Sequence, residues 1–397
     1  MAFKITEKVS WVGVVDWDLQ TFHGEEYSTH KGSTYNAYLI QDEKNVLIDT
    51  VWGPYTEEFL AKLEKAIPLE KIDYIVMNHG EPDHSGALPG LMKMIPNTPI
   101  YCTANAAKSL KGQYHQDWDF RVVKTGETLN IGSVELLFIE APMLHWPDSM
   151  FCYLSGEEIL FSNDAFGQHY ATYQMYNDLV DQAELYNECI KYYANILTPF
   201  SRLVTKKIQE FVSLNVPVKY ICPSHGVIWR DNPLQIVEHY NTWADNYQEN
   251  QITILYDTMW ESTKKMAQAI AEGVKTADPS ITVKLYNTSQ RDRNDIITEV
   301  FKSKAIFVGS PTVNKTILSS MAGILEEIKG LRFTNKKAAA FGSYGWSGEA
   351  VKILSEILKE SGFEVIGSGV NGLWSPNDEV EQRCIELGKE MVAALKG

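Results

Sequence analysis

A chain of 397 residues exceeds what one ordinary hydrophobic core can organise and predicts two or three domains. Its composition, 44% hydrophobic and 22% charged, is that of a globular protein, and a formal net charge of -15 argues against a nucleic-acid partner, whose phosphates would be repelled. The five cysteines (Cys102, Cys152, Cys189, Cys222, Cys384) are scattered and never spaced C-x-x-C, which argues against a disulfide framework, a cysteine zinc site or an iron–sulfur cluster.

No apolar run approaches the ~18 residues of a membrane span. The start, MAFKITEKVSWVGVVDW, reads as a strand pattern and not as a signal peptide, so the expectation is a reducing, cytoplasmic setting. The run YNAYLIQDEKNVLIDTV predicts two strands joined by a polar turn at Gln41 to Asn45. In EEFLAKLEKAI the spacing of Phe59, Leu60, Leu63 and Ile67 predicts a helix. Next comes IDYIVMNH, an apolar strand that delivers its end to His79; VELLFIEAPMLHW and VKYICPSHG repeat that logic with His145 and His225, and EEILFSNDAFG does so with Asp164. Near residue 250 the pattern changes. From ITILYDTMW to FEVIGSGV, apolar strands alternate with amphipathic helices, five strands in about 145 residues, which predicts a doubly wound parallel sheet. The expected division is 1–250 and 251–397.

The stretch NHGEPDHSGA holds His79, Glu81, Asp83 and His84 within six positions. Alone it reads equally well as an exposed acidic turn. His145 alone reads better as an ordinary core or surface histidine, and Asp164 and His225 are weak singly. Together the seven all cap apolar strands, where loops build sites. Four imidazoles and three carboxylates exceed what one metal takes from protein, whereas two metals about 3.5–4 Å apart and sharing a carboxylate would use them all.

NHGEPDHSGALPG resembles the signature of the metallo-β-lactamase fold, whose hydrolases carry H-x-H-x-D-H. Glu81 stands where the second histidine would be, and that H-x-E-x-D-H pattern is the one of the flavodiiron proteins. The resemblance extends over essentially the whole chain through HKGSTYNAYLI, EAPMLHWPDSMF, NDAFGQH and PSHGVIWR. It implies an N-terminal metallo-β-lactamase-like αββα domain followed by a C-terminal flavodoxin-like domain. It also implies one iron on His79, Glu81 and His145, a second on Asp83, His84 and His225, and Asp164 bridging them. Exchanging an imidazole for a carboxylate suits iron that must reach the ferric state. Ligating histidines need partners for their second N–H. The family points to His23 near the site, and Tyr192 is a similar candidate for the pocket wall. From the residues alone, a loop histidine and a core tyrosine are equal readings.

In the second half, LYDTMWEST places Thr258, Met259, Trp260, Ser262 and Thr263 between a strand and a helix, which offers backbone N–H groups, hydroxyls and a helix N-terminus to a phosphate. No G-x-x-x-x-G-K-[ST] is present, which disfavours a nucleotide P-loop. The pattern resembles the FMN phosphate loop of flavodoxins, with Glu261 where a small residue is usual. Two further strand-end loops converge on that side: Ser310, Pro311, Thr312 and Asn314, and then Ser343, Tyr344, Gly345, Trp346, Ser347 and Gly348. Trp260 and Trp346 are expected to flank a flavin ring.

The resemblance implies an oxidoreductase that reduces O2 to water or NO to N2O at two irons fed by FMN. It further implies a head-to-tail homodimer, or a dimer of such dimers, that sets one chain's FMN against the other's irons. No Cys-rich extension or NAD(P)H-oxidising domain follows, so a separate donor is expected, a rubredoxin or a reduced deazaflavin. The alternatives are a dinuclear zinc hydrolase fused to a flavodoxin-like module and a non-catalytic electron carrier or sensor. Glu81 argues against the first of these, and the complete set of seven ligands against the second.

Overall fold

The structure, a computed structural model, describes residues 3–396. The chain divides into two compact units, one formed by Met1–Tyr192 and Phe200–Asn241, the other by Tyr193–Pro199 and Thr242–Gly397.

The first unit is built on two sheets. One has seven strands, in the order Phe3–Lys4, Val9–Trp11, Tyr38–Gln41, Asn45–Ile48, Ile72–Val76, Ile100–Cys102 and Phe120–Val122. The other has five, Thr128–Asn130, Glu135–Glu140, Met150–Ser155, Ile159–Asn163 and Tyr220–Pro223. Alternation along a strand decides what each face meets. Tyr38, Ile40, Val46 and Ile48 turn toward a core shared with Leu136, Phe138, Cys152, Leu154 and Phe161 of the second sheet. Their neighbours Leu39 and Leu47 turn the other way, onto Phe59 and Leu63 of the helix Thr56–Ala66 and Leu88 and Leu91 of the helix Leu88–Met94. The result is a sheet sandwich with helices outside, the αββα arrangement expected. The predicted turn at Gln41 to Asn45 is a hairpin in which those two residues pair.

The second unit is a parallel sheet in the order Thr282–Asn287, Gln251–Tyr256, Ala305–Gly309, Lys337–Tyr344 and Glu364–Val365, with Val370–Leu373 also pairing parallel to Lys337–Tyr344. Counted from Gln251–Tyr256 the order is 2-1-3-4-5, the flavodoxin-like winding, whose ligand crevice lies beyond the carboxyl ends of the strands. The last strand is split, and Gly367 and Gly369 at φ +64° and +76° turn the chain between its halves. Among the described residues no helix is long and apolar enough to cross a membrane.

Two helices of this unit, Ser262–Ala277 and Asp378–Lys396, meet backbone to backbone through glycine. A Cβ on Gly273 would lie 2.0 Å from Ile385 O, and one on Gly388 2.4 Å from Ile270 O. Glycine is unfavourable inside a helix by about 1 kcal/mol relative to alanine, so close packing is what keeps it there. Gly273→Val forces the helices apart and is expected to destabilise this unit by about 3 kcal/mol. Urea unfolding followed by bound-flavin fluorescence checks it, and an unchanged midpoint would count against the packing described.

Candidate metal centre

The strand ends of the first unit bring all seven predicted ligands together. His79 follows Ile72–Val76 by three residues, and the short helix Pro82–Ser85 then presents Asp83 and His84. Ser85 Oγ closes the turn by donating to Gly80 O at 3.0 Å and Glu81 O at 2.8 Å. Thr50 pins it from the neighbouring strand end, its N and Oγ1 donating to His84 O at 2.9 and 2.6 Å. Gly86 is required because a Cβ there would lie 2.3 Å from Gly53 N. Asp164 follows Asn163, which adopts the left-handed region at φ +54° and turns the chain at the end of Ile159–Asn163. Such conformations are costly for residues other than glycine and concentrate at functional sites.

The seven side chains form two groups that share one carboxylate. Around Asp164 Oδ2 stand His79 Nε2 at 3.7 Å and His145 Nε2 at 3.4 Å, and Glu81 Oε2 lies 3.1 and 3.5 Å from those same nitrogens. Around Asp164 Oδ1 stand His84 Nε2 at 3.0 Å and His225 Nε2 at 3.5 Å, and Asp83 Oδ2 lies 3.2 and 3.0 Å from them. Both oxygens of Asp83, both of Asp164 and His84 Nε2 are buried and make no hydrogen bond. Buried polar atoms are ordinarily satisfied, and a coordinating cation is one explanation of such exceptions. Bond lengths of about 2.0–2.2 Å give ligand–ligand edges of about 3.0–3.5 Å, the spacing seen here. Two metal ions fit, one per group.

The charges agree. Burial alone would raise the carboxyl pKa values and lower those of the imidazoles. Instead, His23, His79 and His145 hold Glu81 well below the usual carboxylate range, and His84 and His145 do the same for Asp164. Conversely, Asp164 and Asp83 push His84 up to about 9 against burial, and Asp148 and Glu81 push His79 well up. So much buried negative charge calls for cations, supplied by protons or by metal ions.

Groups behind the ligands set their orientation. His79 Nδ1 donates to Asp148 Oδ1 at 2.7 Å, and His225 Nδ1 to Thr34 O at 2.6 Å, which leaves each Nε2 free to face its group. Asp49 accepts from Asn78 N at 2.7 Å and Nδ2 at 3.1 Å and so fixes the backbone just before His79. No motif or spacing marks Asp148, Thr34 or Asp49. Asp148 lies in the run EAPMLHWPDSMF, but an aspartate after a proline carries no mark of a partner 69 residues away.

Of the two other candidates, His23 lies at the site: its Nε2 is 2.7 Å from Glu81 Oε1, and Glu81 raises its pKa against the lowering effect of burial. With Phe22, Tyr35, Trp52, Glu81 and Asp83 it lines a cavity of ≈ 410 Å³. Tyr192 is not in that lining. It is fully buried, its ring centroid 6.3 Å from Tyr27 and 5.5 Å from His169, and burial keeps its phenol protonated.

In the second unit the three predicted loops stand together beyond the strand ends. Thr263 Oγ1 and Ser343 Oγ are 3.0 Å apart, Thr312 N donates to Ser343 O at 2.8 Å, and Ala350 N donates to Thr312 Oγ1 at 3.1 Å. Ser310 spends its hydroxyl on the protein, accepting from Leu318 N and donating to Pro311 O. Asn314 and Lys315 form the left-handed tip of a tight turn that Val313 and Thr316 close. Met259 is half exposed, and Tyr344, Gly345, Ser347 and Gly348 continue the rim. Thr258 Oγ1 is buried and has no hydrogen-bond partner beside the N-terminus of the helix Ser262–Ala277. Trp260 and Trp346 are 88% and 89% exposed, a large apolar area for a ring to stack on. The orphan hydroxyl and the bare indoles fit FMN.

Glu261 occupies the left-handed region at φ +64°, where a small residue is usual, and pairs with Lys264 Nζ at 2.5 Å. Glu261→Gly is expected to tighten FMN binding about fivefold, because it removes an anion beside the phosphate and frees Lys264. Fluorescence titration of the flavin-free protein with FMN checks this; weaker binding would contradict it.

The chain matches the ODP family beta lactamase model over residues 34–226 and the flavodoxin model over residues 254–388. It is 54% identical over 393 residues to the anaerobic nitric oxide reductase flavorubredoxin of Klebsiella pneumoniae, covering 98% of this chain and 81% of that protein, and equally so to that of Escherichia coli, with 82% covered. Among solved structures it superposes on the rubredoxin oxygen:oxidoreductase of Desulfovibrio gigas with a TM-score of 0.97 at 39% identity, covering 100% of this chain and 99% of the other. On the flavodiiron protein of Giardia intestinalis the TM-score is 0.93 at 34% identity, with 99% and 97% covered.

Proposed function

The chain belongs to the flavodiiron protein family and is an oxidoreductase whose cofactors are FMN and two non-haem iron ions, and from that premise we propose that it reduces NO to N2O, with O2 as a second substrate, using electrons from a rubredoxin-type donor. A reduced deazaflavin is the other donor class. The observation that carries the proposal is the division of Asp164: its two oxygens face two groups, each of two imidazoles and one further carboxylate. The 54% identity to proteins named as anaerobic nitric oxide reductases supports NO over O2 as the preferred gas. Detoxification of these gases is the role that follows. The buried, unpaired cysteines fit a reducing cytoplasm.

In the proposed site His79, Glu81 and His145 would hold one iron and Asp83, His84 and His225 the other, with Asp164 shared between them. The iron pair supplies two-electron chemistry at a small neutral gas, and FMN supplies the electrons. The protein contributes placement, charge and protons. Asp148 and Thr34 keep His79 and His225 in the tautomer that leaves Nε2 free. His23 stands in the cavity wall with its Nε2 2.7 Å from Glu81 Oε1, where it can orient that carboxylate and face an entering gas. Phe22, Tyr35 and Trp52 limit water on the same side, and Tyr192, neutral and buried, keeps the interior dry. Thr258, Ser262 and the helix N-terminus would receive the FMN phosphate, and Trp260 and Trp346 would offer their faces to the ring.

Iron and flavin sit in different units, so we place the transfer between two copies paired head to tail. The test is turnover with reduced rubredoxin, with NO and O2 followed by electrode over a range of protein concentrations alongside sedimentation. Faster NO consumption by a dimer is expected. No consumption of either gas would overturn the function, and full turnover by a monomer would overturn the pairing.

A further inference from the structure

The two groups of candidate ligands are alike in type, each with two imidazoles and one carboxylate of its own beside the shared Asp164, but they differ behind one histidine of each. His79 gives its Nδ1 hydrogen to a carboxylate, Asp148 Oδ1 at 2.7 Å, whereas His225 gives its own to a neutral carbonyl, Thr34 O at 2.6 Å. Asp148 is fully buried, and its other oxygen accepts from Gly80 N at 3.1 Å. A side chain on Gly80 would crowd that oxygen at 2.9 Å, so the loop is shaped to let the carboxylate in. The other buried acid nearby, Asp49, spends its hydrogen bonds on Asn78, and its charge bears on a histidine of each group, His84 and His79, so it does not set the two apart. His23 draws on Glu81 Oε1 and weakens that donor, but its side chain is 35% exposed, and water screens it where it does not screen Asp148.

A carboxylate that pulls on Nδ1–H makes Nε2 a stronger, more anionic donor. Such a donor favours the ferric over the ferrous ion, so it lowers the reduction potential of the iron it serves. We propose that Asp148 is a positioning residue that makes the iron at His79, Glu81 and His145 the harder of the two to reduce. The first electron given up by reduced flavin to the diferric pair is then held at Asp83, His84 and His225, where one Fe(III) becomes Fe(II). The assignment rests on the diiron reading above.

The test is a redox titration of the iron-loaded protein and of Asp148→Asn, followed by electron paramagnetic resonance, with Mössbauer spectra at the half-reduced point. Wild type should show two separate one-electron potentials and distinct ferric and ferrous irons when half reduced. In D148N the lower potential should rise by 59 mV, the equivalent of a tenfold smaller ferric preference, while the upper one stays. Asp148→Ser, whose hydroxyl accepts the Nδ1 hydrogen without charge, serves where the amide of D148N turns its N–H to His79 and sheds iron. If both variants shed iron, loss of one iron per chain supports the assignment, and loss of two overturns it. Equal movement of both potentials, no movement, or equivalent irons in half-reduced wild type would also overturn it. A wild type with two zinc ions and no potential would sink the diiron reading itself, whereas two irons with an unaltered gap in D148N would sink the role of Asp148 alone.

Discussion

Asp164→Ala is expected to remove most of the iron and to lower gas reduction by more than about 100-fold. Asp164 faces both groups, with histidine nitrogens 3.4 and 3.7 Å from one oxygen and 3.0 and 3.5 Å from the other. Truncation leaves four buried imidazoles with no shared anion and two cations without a common ligand. It also leaves a cavity in the closed end of the sandwich, so loss of iron alone could reflect loss of fold. Asp164→Asn separates the two: the amide fills the same space but brings no charge. It should keep the circular dichroism of the wild type and still hold less than one iron per chain. Iron assay on both variants checks this, and two irons in either would contradict a bridging carboxylate.

Glu81→His is the second large effect. It restores the H-x-H-x-D-H pattern of the zinc hydrolases and removes one anion from the group around His79. The carboxylate now lies 3.1 and 3.5 Å from two imidazoles and accepts from His23 on its far oxygen. An imidazole can fill the place near the metal but cannot accept from His23 at the same time, so His23 loses its partner and much of the cause of its raised pKa. The variant should take up zinc in competition with iron, and NO and O2 reduction should fall about 100-fold. Metal analysis after loading from an equimolar mixture of the two ions, with turnover on the same sample, checks both. Unchanged iron content and rate would show that Glu81 does not select the metal.

The large features of the fold were legible because they rest on periodicity. Alternation in YNAYLIQDEKNVLIDTV is what splits Tyr38 and Ile40 from Leu39, and the strand–helix alternation after residue 250 is what builds the parallel sheet. The candidate ligands were legible as a set because each follows an apolar strand, and the winding of the two sheets gathers those ends. What lies behind them was not. Asp148 bonds His79 across 69 residues, and the acceptor for His225 is a backbone carbonyl, that of Thr34, which no residue type marks. Nor does composition say which way a side chain turns. Tyr192 reads in sequence as pocket wall and core alike, and its ring lies buried with Tyr27 and His169, outside the residues that line the cavity. Ser310, a flavin-contact candidate, has its hydroxyl bonded within its own loop, which no sequence pattern marks. The division of the chain is similar. Tyr193–Pro199 groups with the second unit, although it continues the helical run Gln182–Tyr192 without any breaking residue before Pro199.

The central claim is that seven side chains from one set of strand ends hold two irons that exchange electrons with a diatomic gas. Mössbauer spectroscopy of the dithionite-reduced, ⁵⁷Fe-loaded protein, before and after mixing with NO or O2, addresses it most directly. Two ferrous ions per chain should be seen before mixing, and both should change on exposure to at least one of the gases. Fewer than one iron per chain after loading, or a ferrous pair that neither gas alters, would contradict it.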